Sequence, residues 1–262
     1  MSRVGSNPMR TRTIPSRPGV VVSAIVHLPR LSDTYHEKRM EIVRLCLESM
    51  RKHAEEDVDI LVWDNSGSFP DKLKKYVKYF KSPENFVCHP RWLLCGLVRT
   101  KFVFTIDDDR YILDTNLFKR LIDECAEHCD RYMLCAYGKI FDGYPRKYIG
   151  NLYLTDEETE PGYWIGVKGA EKKEGVVDVG STGISFFNKL VLRKLPVISG
   201  ISAEEMKYGD DIWVSKYVNI FVTKILQDGI GVIDDKGKGL CHDDKHYEIR
   251  NKLCKWWEYK LK

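Results

Sequence analysis

Three consecutive aspartates close a run of strand-forming residues in the segment "FVFTIDDD", residues 102–109. Adjacent carboxylates repel one another, so they stay ionised side by side only where positive charge neutralises them. The segment therefore predicts a buried strand that ends at a polar site holding cations.

The aspartates follow the third of three strand-forming runs, and helical patterns separate these runs. The first two are "GVVVSAIVHLP" (19–29) and "VDILVWDNSGS" (58–68), both rich in β-branched residues. Apolar residues at helical spacing over 32–54 and a Pro-Asp start to 70–80 predict the intervening helices. This order predicts a mixed, mostly parallel α/β sheet of Rossmann-like type, flanked by helices.

Polar residues lie at the carboxyl ends of all three predicted strands. They are His27, Asp64 and the aspartates at 107–109. In parallel sheets of this type the ligand lies beyond the carboxyl ends of the strands. We therefore expect these side chains to line one rim of the sheet and to face a binding crevice.

The second half of the chain predicts further elements around an irregular segment. Residues 142–175 are rich in aromatic residues and glycine, which is typical of a substrate-side loop. Residues 203–229 predict one long helix with acidic residues at its start. Helices over 115–129 and 246–262 and strands over 131–140, 176–187 and 229–235 complete the prediction.

The composition predicts a flexible basic tail over residues 1–18, followed by a single soluble domain over residues 19–262. The net charge of +4 is too small to argue for a nucleic-acid partner. No apolar run reaches the ~20 residues of a transmembrane segment, and the start lacks the apolar core of a signal peptide. With eight cysteines and no CxxC pair, these features predict reduced thiols and a cytoplasmic location.

Three carboxylates at a strand end provide the oxygen ligands that Mg²⁺ and Mn²⁺ prefer. Such a cation keeps coordination positions open for the phosphates of a nucleotide. An aspartate-rich turn that caps a helix or faces solvent is the alternative for these residues.

Four short motifs together resemble a known family. "VWDN", "IDDD", "GISFFN" and "DDIWVS" are similar to motifs of the catalytic domain of exostosin-like transferases, and residues 19–235 resemble a GT-A glycosyltransferase of the family 2 type. The resemblance implies a GT-A fold with a nucleotide-binding half, 19–110, and an acceptor-binding half, 111–262. It also implies a UDP-sugar donor, a hydroxyl acceptor on a glycan or other glycoconjugate, and Mn²⁺ or Mg²⁺.

The resemblance assigns the donor to the first half of the chain. It implies nucleotide-sugar contacts from His27 and Asn65 at the rim, a hydrogen bond that Asp64 accepts from the base, and a contact from Arg91 to the base or diphosphate. Asp107 would contact the ribose or a metal-bound water. The alternatives are a turn-forming aspartate at Asp64 and a surface ion pair at Arg91.

The metal ligands follow from the same resemblance. Asp109 would bind the cation directly, Asp107 would assist, and His242 would be a further ligand. Asp108 is assigned to the nucleotide-sugar site, with the alternative that it points away and caps the next segment. A solvated side chain is the alternative for His242.

Asp211 and Asp210 are the predicted catalytic residues. The acceptor hydroxyl loses a proton as it attacks, so a carboxylate must lie within hydrogen-bond reach. By the family pattern Asp211 is the base or orients the acceptor, with Asp210 as its neighbour, and N-capping is their alternative role. The pattern leaves inverting and retaining stereochemistry open.

Small and aromatic residues complete the predicted sugar site. Gly180 and Gly183 would let the backbone approach the sugar or acceptor, although a plain turn also uses glycines. Tyr163, Trp164 and Trp213 are candidate platforms for sugar rings, with core packing as the alternative.

Two other classes of function remain open. One is a two-metal phosphoryl-transfer enzyme that uses Asp107, Asp109 and Asp211. The other is a non-catalytic nucleotide-sugar-binding module, which would usually have lost one of the two acid clusters.

Overall fold

The computed structural model of the chain describes residues 14, 16, 18–28, 36–53, 58–67, 69–86, 88–128, 131–141, 163–165, 173–195, 202–233 and 244–254. The predicted metal ligand His242 lies outside these ranges. For Tyr163 and Trp164 the structure describes a backbone strand only, so their predicted contact with sugar rings lies outside the described side chains.

Strands and helices alternate through the first half of the chain. The strands are β1 (Val22–Leu28), β2 (Val58–Asp64), β3 (Lys78–Lys81), β4 (Phe102–Asp107), β5 (Arg110–Ile112), β6 (Tyr132–Cys135), β7 (Gly138–Ile140), β8 (Tyr163–Ile165), β9 (Gly175–Val177), β10 (Val179–Gly180), β11 (Ile184–Asn188), β12 (Asn219–Val222) and β13 (Ile230–Val232). The α-helices are α1 (His36–His53), α2 (Asp71–Lys74), α3 (His89–Leu97), α4 (Leu117–His128), α5 (Ala203–Tyr217), α6 (Lys224–Gly229) and α7 (Asp244–Cys254), and a 3-10 helix covers Lys189–Lys194.

Eight strands form the central sheet in the order β3-β2-β1-β4-β11-β6-β12-β9. The first four are parallel, and β11 joins β4 in the antiparallel direction. Smaller sheets pair β10, β7 and β8, and β13 with β5. The predicted mixed, mostly parallel α/β sheet is confirmed.

Two apolar layers cover the two faces of this sheet. Successive side chains of a strand point to opposite faces, and β1 follows this rule: Ala24 and Val26 join one buried cluster, whereas Ile25 joins the other. Helices α1 and α4 contribute to the first cluster, and α3 and α5 contribute to the second. The fold thus has three layers, and polar residues emerge at the ends of the strands.

The strand register brings the predicted rim residues together. In the parallel pairing of β1 with its neighbours, His27 lies opposite Asp107 of β4, and Leu28 lies opposite Asp64 of β2. The carboxyl ends of three parallel strands therefore meet at one rim, as predicted.

Two predicted helices are wrong in part. Residues 70–80 form a helix only as far as Lys74, because β3 then pairs with β2. The predicted long helix 203–229 is two helices separated by β12, whose residues pair with β6. In both places inter-strand pairing overrides local helical preference.

Candidate functional site

A buried arginine joins acids from distant parts of the chain at the rim. Arg91 of α3 donates from Nη2 to Oδ1 of Asp107 at 2.6 Å, at the end of β4. Its Nη1 lies 3.4 Å from Oδ2 of Asp210 in α5. The Arg91 side chain is 7% exposed, so the cation lies in an environment of low dielectric constant between two carboxylates.

Asp210 is held by further donors. Its Oδ2 accepts hydrogen bonds from Thr182 Oγ1 at 3.0 Å and from Trp92 Nε1 at 3.3 Å. Burial raises the pKa of Asp210 to about 6, while Arg91 opposes the rise and Asp211 adds to it. A carboxylate with this pKa accepts a proton near neutral pH more readily than an ordinary aspartate does.

Arginines neutralise the three consecutive aspartates. Arg91 pairs with Asp107, Arg39 of α1 pairs with Asp108, and Asp109 Oδ1 lies 3.2 Å from Nε of Arg110. Arg39 Nη2 also lies 3.9 Å from Asp109. Protein cations therefore supply the positive charge that this segment requires.

The three aspartates differ in access to solvent. The side chains of Asp107 and Asp109 are 35% and 28% exposed. Asp108 is buried, and its carboxylate accepts hydrogen bonds from Nε of Arg39, at 2.8 Å, and from Nη2 of the same arginine. Burial raises its pKa to about 6 against the effect of Arg39. The carboxylate of Asp108 thus faces α1, which favours the alternative that it points away from the site, and its nucleotide-sugar contact stays a prediction.

Asp64 shapes the turn after β2. Its carboxylate accepts hydrogen bonds from the backbone N–H groups of Ser66, Gly67 and Phe69 and from the Tyr79 hydroxyl. Burial raises the pKa of Asp64. These hydrogen bonds, together with one from the Ser66 hydroxyl, outweigh burial and hold the pKa below its ordinary value. The residue has no exposed surface, so this placement matches the turn-forming alternative. The predicted hydrogen bond to a base would require this turn to open.

His27 and Asn65 form a buried polar pair at the same rim. Asn65 Nδ2 lies 2.7 Å from His27 Nε2, and Asn65 Oδ1 accepts a hydrogen bond from Trp63 Nε1 at 3.1 Å. Trp63 in turn packs against Phe80 and Phe86, with ring centroids 6.3 Å away in each case. Aromatic side chains thus lie next to this polar pair. The predicted nucleotide contacts of His27 and Asn65 stay predictions.

Asp211 is oriented away from the Arg91 cluster. Both of its carboxylate oxygens accept from Arg250 of α7 at 2.8 Å. Ser202 caps the start of α5 with a capping box to Glu205, and non-helical backbone at Gly209 divides α5 into two helical segments, so Asp210 and Asp211 open the second segment. A kink at Gly209 lies just before the two aspartates.

Position 183 must be glycine because it lies directly against Asp107. A Cβ atom at Gly183 would overlap the carboxyl group of Asp107, and the Gly183 carbonyl accepts from the Asp107 N–H at 2.7 Å. A Cβ at Gly180 would instead overlap Ile220 and Cys135. Packing against the sheet is enough to explain glycine at position 180, and its role at the sugar site stays a prediction. Trp213 likewise belongs to the buried core, which matches its alternative role.

The acids at the rim fit a cation only in part. No group of three or more metal-ligating side chains occurs among the described residues. Asp107 and Asp109 are the two accessible carboxylates of the triad. Mg²⁺ is usually held by one or two carboxylates together with substrate phosphates. The donor set thus suits a divalent cation that arrives with a diphosphate.

Sequence reasoning missed four residues that hold the acids: Arg39, Trp92, Thr182 and Arg250. A signal for Arg39 exists, because it lies four residues before the buried Val43 on α1 and therefore shares its buried face. An arginine on such a face needs a buried acid as partner. Arg250 carries the same signal, four residues before the buried Cys254 of α7.

Comparisons with known proteins identify the fold. No protein-family model matches the sequence, and no curated protein matches it significantly. Among solved structures, the chain is similar to GalNAc-T7 with UDP, GalNAc and Mn²⁺, with a TM-score of 0.56 and 10% identity. That match covers 92% of this chain and 50% of GalNAc-T7.

Similarity also extends to TarS from S. aureus. The complex of TarS 1–349 with UDP-GlcNAc matches with a TM-score of 0.49 and 16% identity, over 88% of this chain and 65% of that chain. Longer TarS matches over 35% of its length. The fold of this chain is the GT-A fold of glycosyltransferases, and the chain spans about half the length of GalNAc-T7.

Across the described ranges, every helix is too short or too polar to cross a bilayer.

Proposed function

We propose that this protein is a glycosyltransferase that moves a sugar from a UDP-sugar to a hydroxyl of a glycan or other glycoconjugate. The observation that carries the proposal is the ion-paired cluster of Asp107, Arg91 and Asp210 at the carboxyl rim of a GT-A sheet. The cluster joins an acid of the predicted donor half to an acid of the predicted acceptor half. Sugar transfer needs both in one crevice.

The donor end of the site uses Asp107 and Asp109. Both side chains are partly exposed, and only Asp108 separates them in the sequence. These features support binding of Mn²⁺ or Mg²⁺ together with the donor diphosphate. When bound, such an ion stabilises negative charge on the leaving group. Arg91 supplies a fixed positive charge next to Asp107, and preorganised charge in a buried site is worth more than in water.

The acceptor end of the site favours Asp210 over Asp211 as proton acceptor. Asp210 lies in the Arg91 cluster and has a raised pKa. Asp211 is committed to Arg250 through two hydrogen bonds. We therefore assign proton acceptance to Asp210, and we assign Asp211 to the positioning of α5 against α7.

The same geometry weakens the phosphoryl-transfer alternative. That reaction would bring Asp211 together with Asp107 and Asp109 around two cations. In the part of the chain that the structure describes, no such group of acids forms. No observation favours this second function.

Release of UDP from a panel of UDP-sugars tests the proposal. We expect turnover of at least one donor in the presence of Mn²⁺, slow hydrolysis without an acceptor, and faster release with a saccharide acceptor. The Asp107→Asn variant should lose this release. Absence of UDP release from every donor, with UDP binding intact, would instead support the non-catalytic binding module.

A further inference from the structure

A pocket opens at the end of the sheet opposite the acidic cluster. It has a volume of about 540 Å³ and lies where β4 begins, between the end of α3 and the 3-10 helix. At a rise of about 3.3 Å per residue, the six residues of β4 separate this pocket from Asp107 by roughly 20 Å. The pocket is therefore independent of the proposed transfer site.

The pocket is lined by cations and contains no acid. Lys101, Lys189 and Arg193 all contribute to its lining. The two segments that form it, 96–101 and 188–195, hold five basic residues and no acidic one. Lys189 donates from Nζ to the carbonyl of Val98, which fixes one of these cations in place.

Exposed apolar side chains surround these cations. Leu190 lines the pocket and is 44% exposed. Leu93 is 48% exposed and lies three residues before the lining residue Gly96, on the same face of α3. Val21 is 41% exposed, and its carbonyl accepts from the N–H of Phe102 at 3.0 Å. We call this surface the basic face; it comprises Val21, Leu93, Arg99, Lys101, Lys189, Leu190, Arg193 and Lys194.

A basic segment joins the protein at the basic face. The N–H of Ile14 donates to the carbonyl of Leu97 at 2.9 Å, at the end of α3. Residues 1–13 contain Arg3, Arg10 and Arg12 and no acid. Because this segment has the same sign of charge as the pocket, it is a poor occupant of the pocket. The charge of the pocket instead suits a separate anionic partner.

We propose that the basic face docks on an anionic membrane surface, with the pocket receiving a phosphate-bearing lipid headgroup. Lysine and arginine near such a surface each add attraction to anionic lipids, and exposed leucines enter the interface between headgroups and acyl chains. A single-stranded nucleic acid would need aromatic side chains for base stacking, and the pocket lining contains none. Docking in this way directs the acidic crevice away from the membrane.

Co-sedimentation of the full chain with lipid vesicles tests the proposal. We expect binding to vesicles of equimolar phosphatidylcholine and phosphatidylserine, and no binding to phosphatidylcholine alone. The Lys101→Ala/Arg193→Ala variant should reduce partitioning onto the anionic vesicles about thirtyfold, roughly fivefold for each basic side chain lost. Leu190→Ser should also reduce partitioning onto the anionic vesicles, and the size of this reduction should change little with salt concentration.

A matched control separates the basic face from net charge. Lys72→Ala/Lys75→Ala removes two exposed lysines at α2, which follows the carboxyl end of β2, and should bind vesicles like the wild type. Equal loss in this control, or equal binding to neutral vesicles, would overturn the proposal. Binding of a single-stranded oligonucleotide without binding of anionic vesicles would also overturn it, in favour of nucleic acid. Circular dichroism of each variant confirms that the fold is intact.

Discussion

Gly183 lies against the carboxyl group of Asp107 so closely that no side chain fits between them. A methyl group at Gly183 would overlap three atoms of that carboxyl group. The backbone of Gly183 also fixes Asp107 through a hydrogen bond of 2.7 Å from the Asp107 N–H. The position of this acid in the proposed donor site therefore depends on a glycine.

Gly183→Ala should displace the Asp107 side chain and break its 2.6 Å contact with Arg91. We expect affinity for UDP in the presence of Mn²⁺ to fall at least about tenfold, the equivalent of one lost charge-assisted hydrogen bond. Gly96→Ala is the control, because a Cβ there has no neighbour within 4 Å. Isothermal titration calorimetry measures both, and equal affinities would contradict the account.

Loss of Arg91 should destabilise the whole domain. Arg91→Met leaves Asp107 and Asp210 without their shared cation, and breaking a buried ion pair costs about 3–5 kcal/mol. Arg44→Met, which removes a partly exposed arginine paired with Glu41 and Glu48, should cost less than about 1 kcal/mol. Urea denaturation gives both free energies of unfolding. Similar costs would show that Arg91 is no more important than a surface arginine.

The raised pKa of Asp210 predicts a specific pH dependence of stability. Its pKa rises from 3.8 to about 6 on folding, through burial opposed by Arg91. Between these values the folded state binds more protons than the unfolded state, so the free energy of unfolding falls as the pH rises. Asp210→Asn should make this fall shallower between about pH 4 and 6. An unchanged slope in urea denaturation would contradict the raised pKa.

Asp210 and Asp211 provide a matched pair of neighbouring acids. Asp210→Asn should bind UDP and Mn²⁺ normally and lower sugar transfer by about 100-fold or more, the usual effect of losing a general base. Asp211→Asn should mainly lower the free energy of unfolding, because the ion pair with Arg250 is lost. Transfer lost in Asp211→Asn and kept in Asp210→Asn would restore the base that the sequence pattern favours.

The rim of the sheet could be predicted because each strand that forms it is encoded by a short local segment of sequence. Each strand is marked by its own β-branched run, and parallel strands put their carboxyl ends side by side, so His27, Asp64 and Asp107 had to meet. The orientation of each acid could not be predicted. Asp108 faces inward because Arg39, on a helix far away in sequence, pairs with it.

The acids of α5 show the same limit. Their residue type and spacing are visible in "GDDIW", but the direction of each side chain depends on the kink at Gly209 and on Arg250. The boundary between α5 and β12 escaped prediction for a related reason. "VNIFV" follows a helical pattern directly, and its strand exists because β6 and β9 lie on either side of it.

Thermal denaturation with UDP and Mn²⁺, added singly and together, tests the central claim that a diphosphate and a cation bind jointly at Asp107 and Asp109. Ligands that bind only the native state raise the melting temperature by mass action. The account predicts a clear rise with UDP and Mn²⁺ together, little rise with either alone, and loss of the joint effect in Asp109→Asn. No rise with any nucleoside diphosphate, or an undiminished rise in Asp109→Asn, would contradict it.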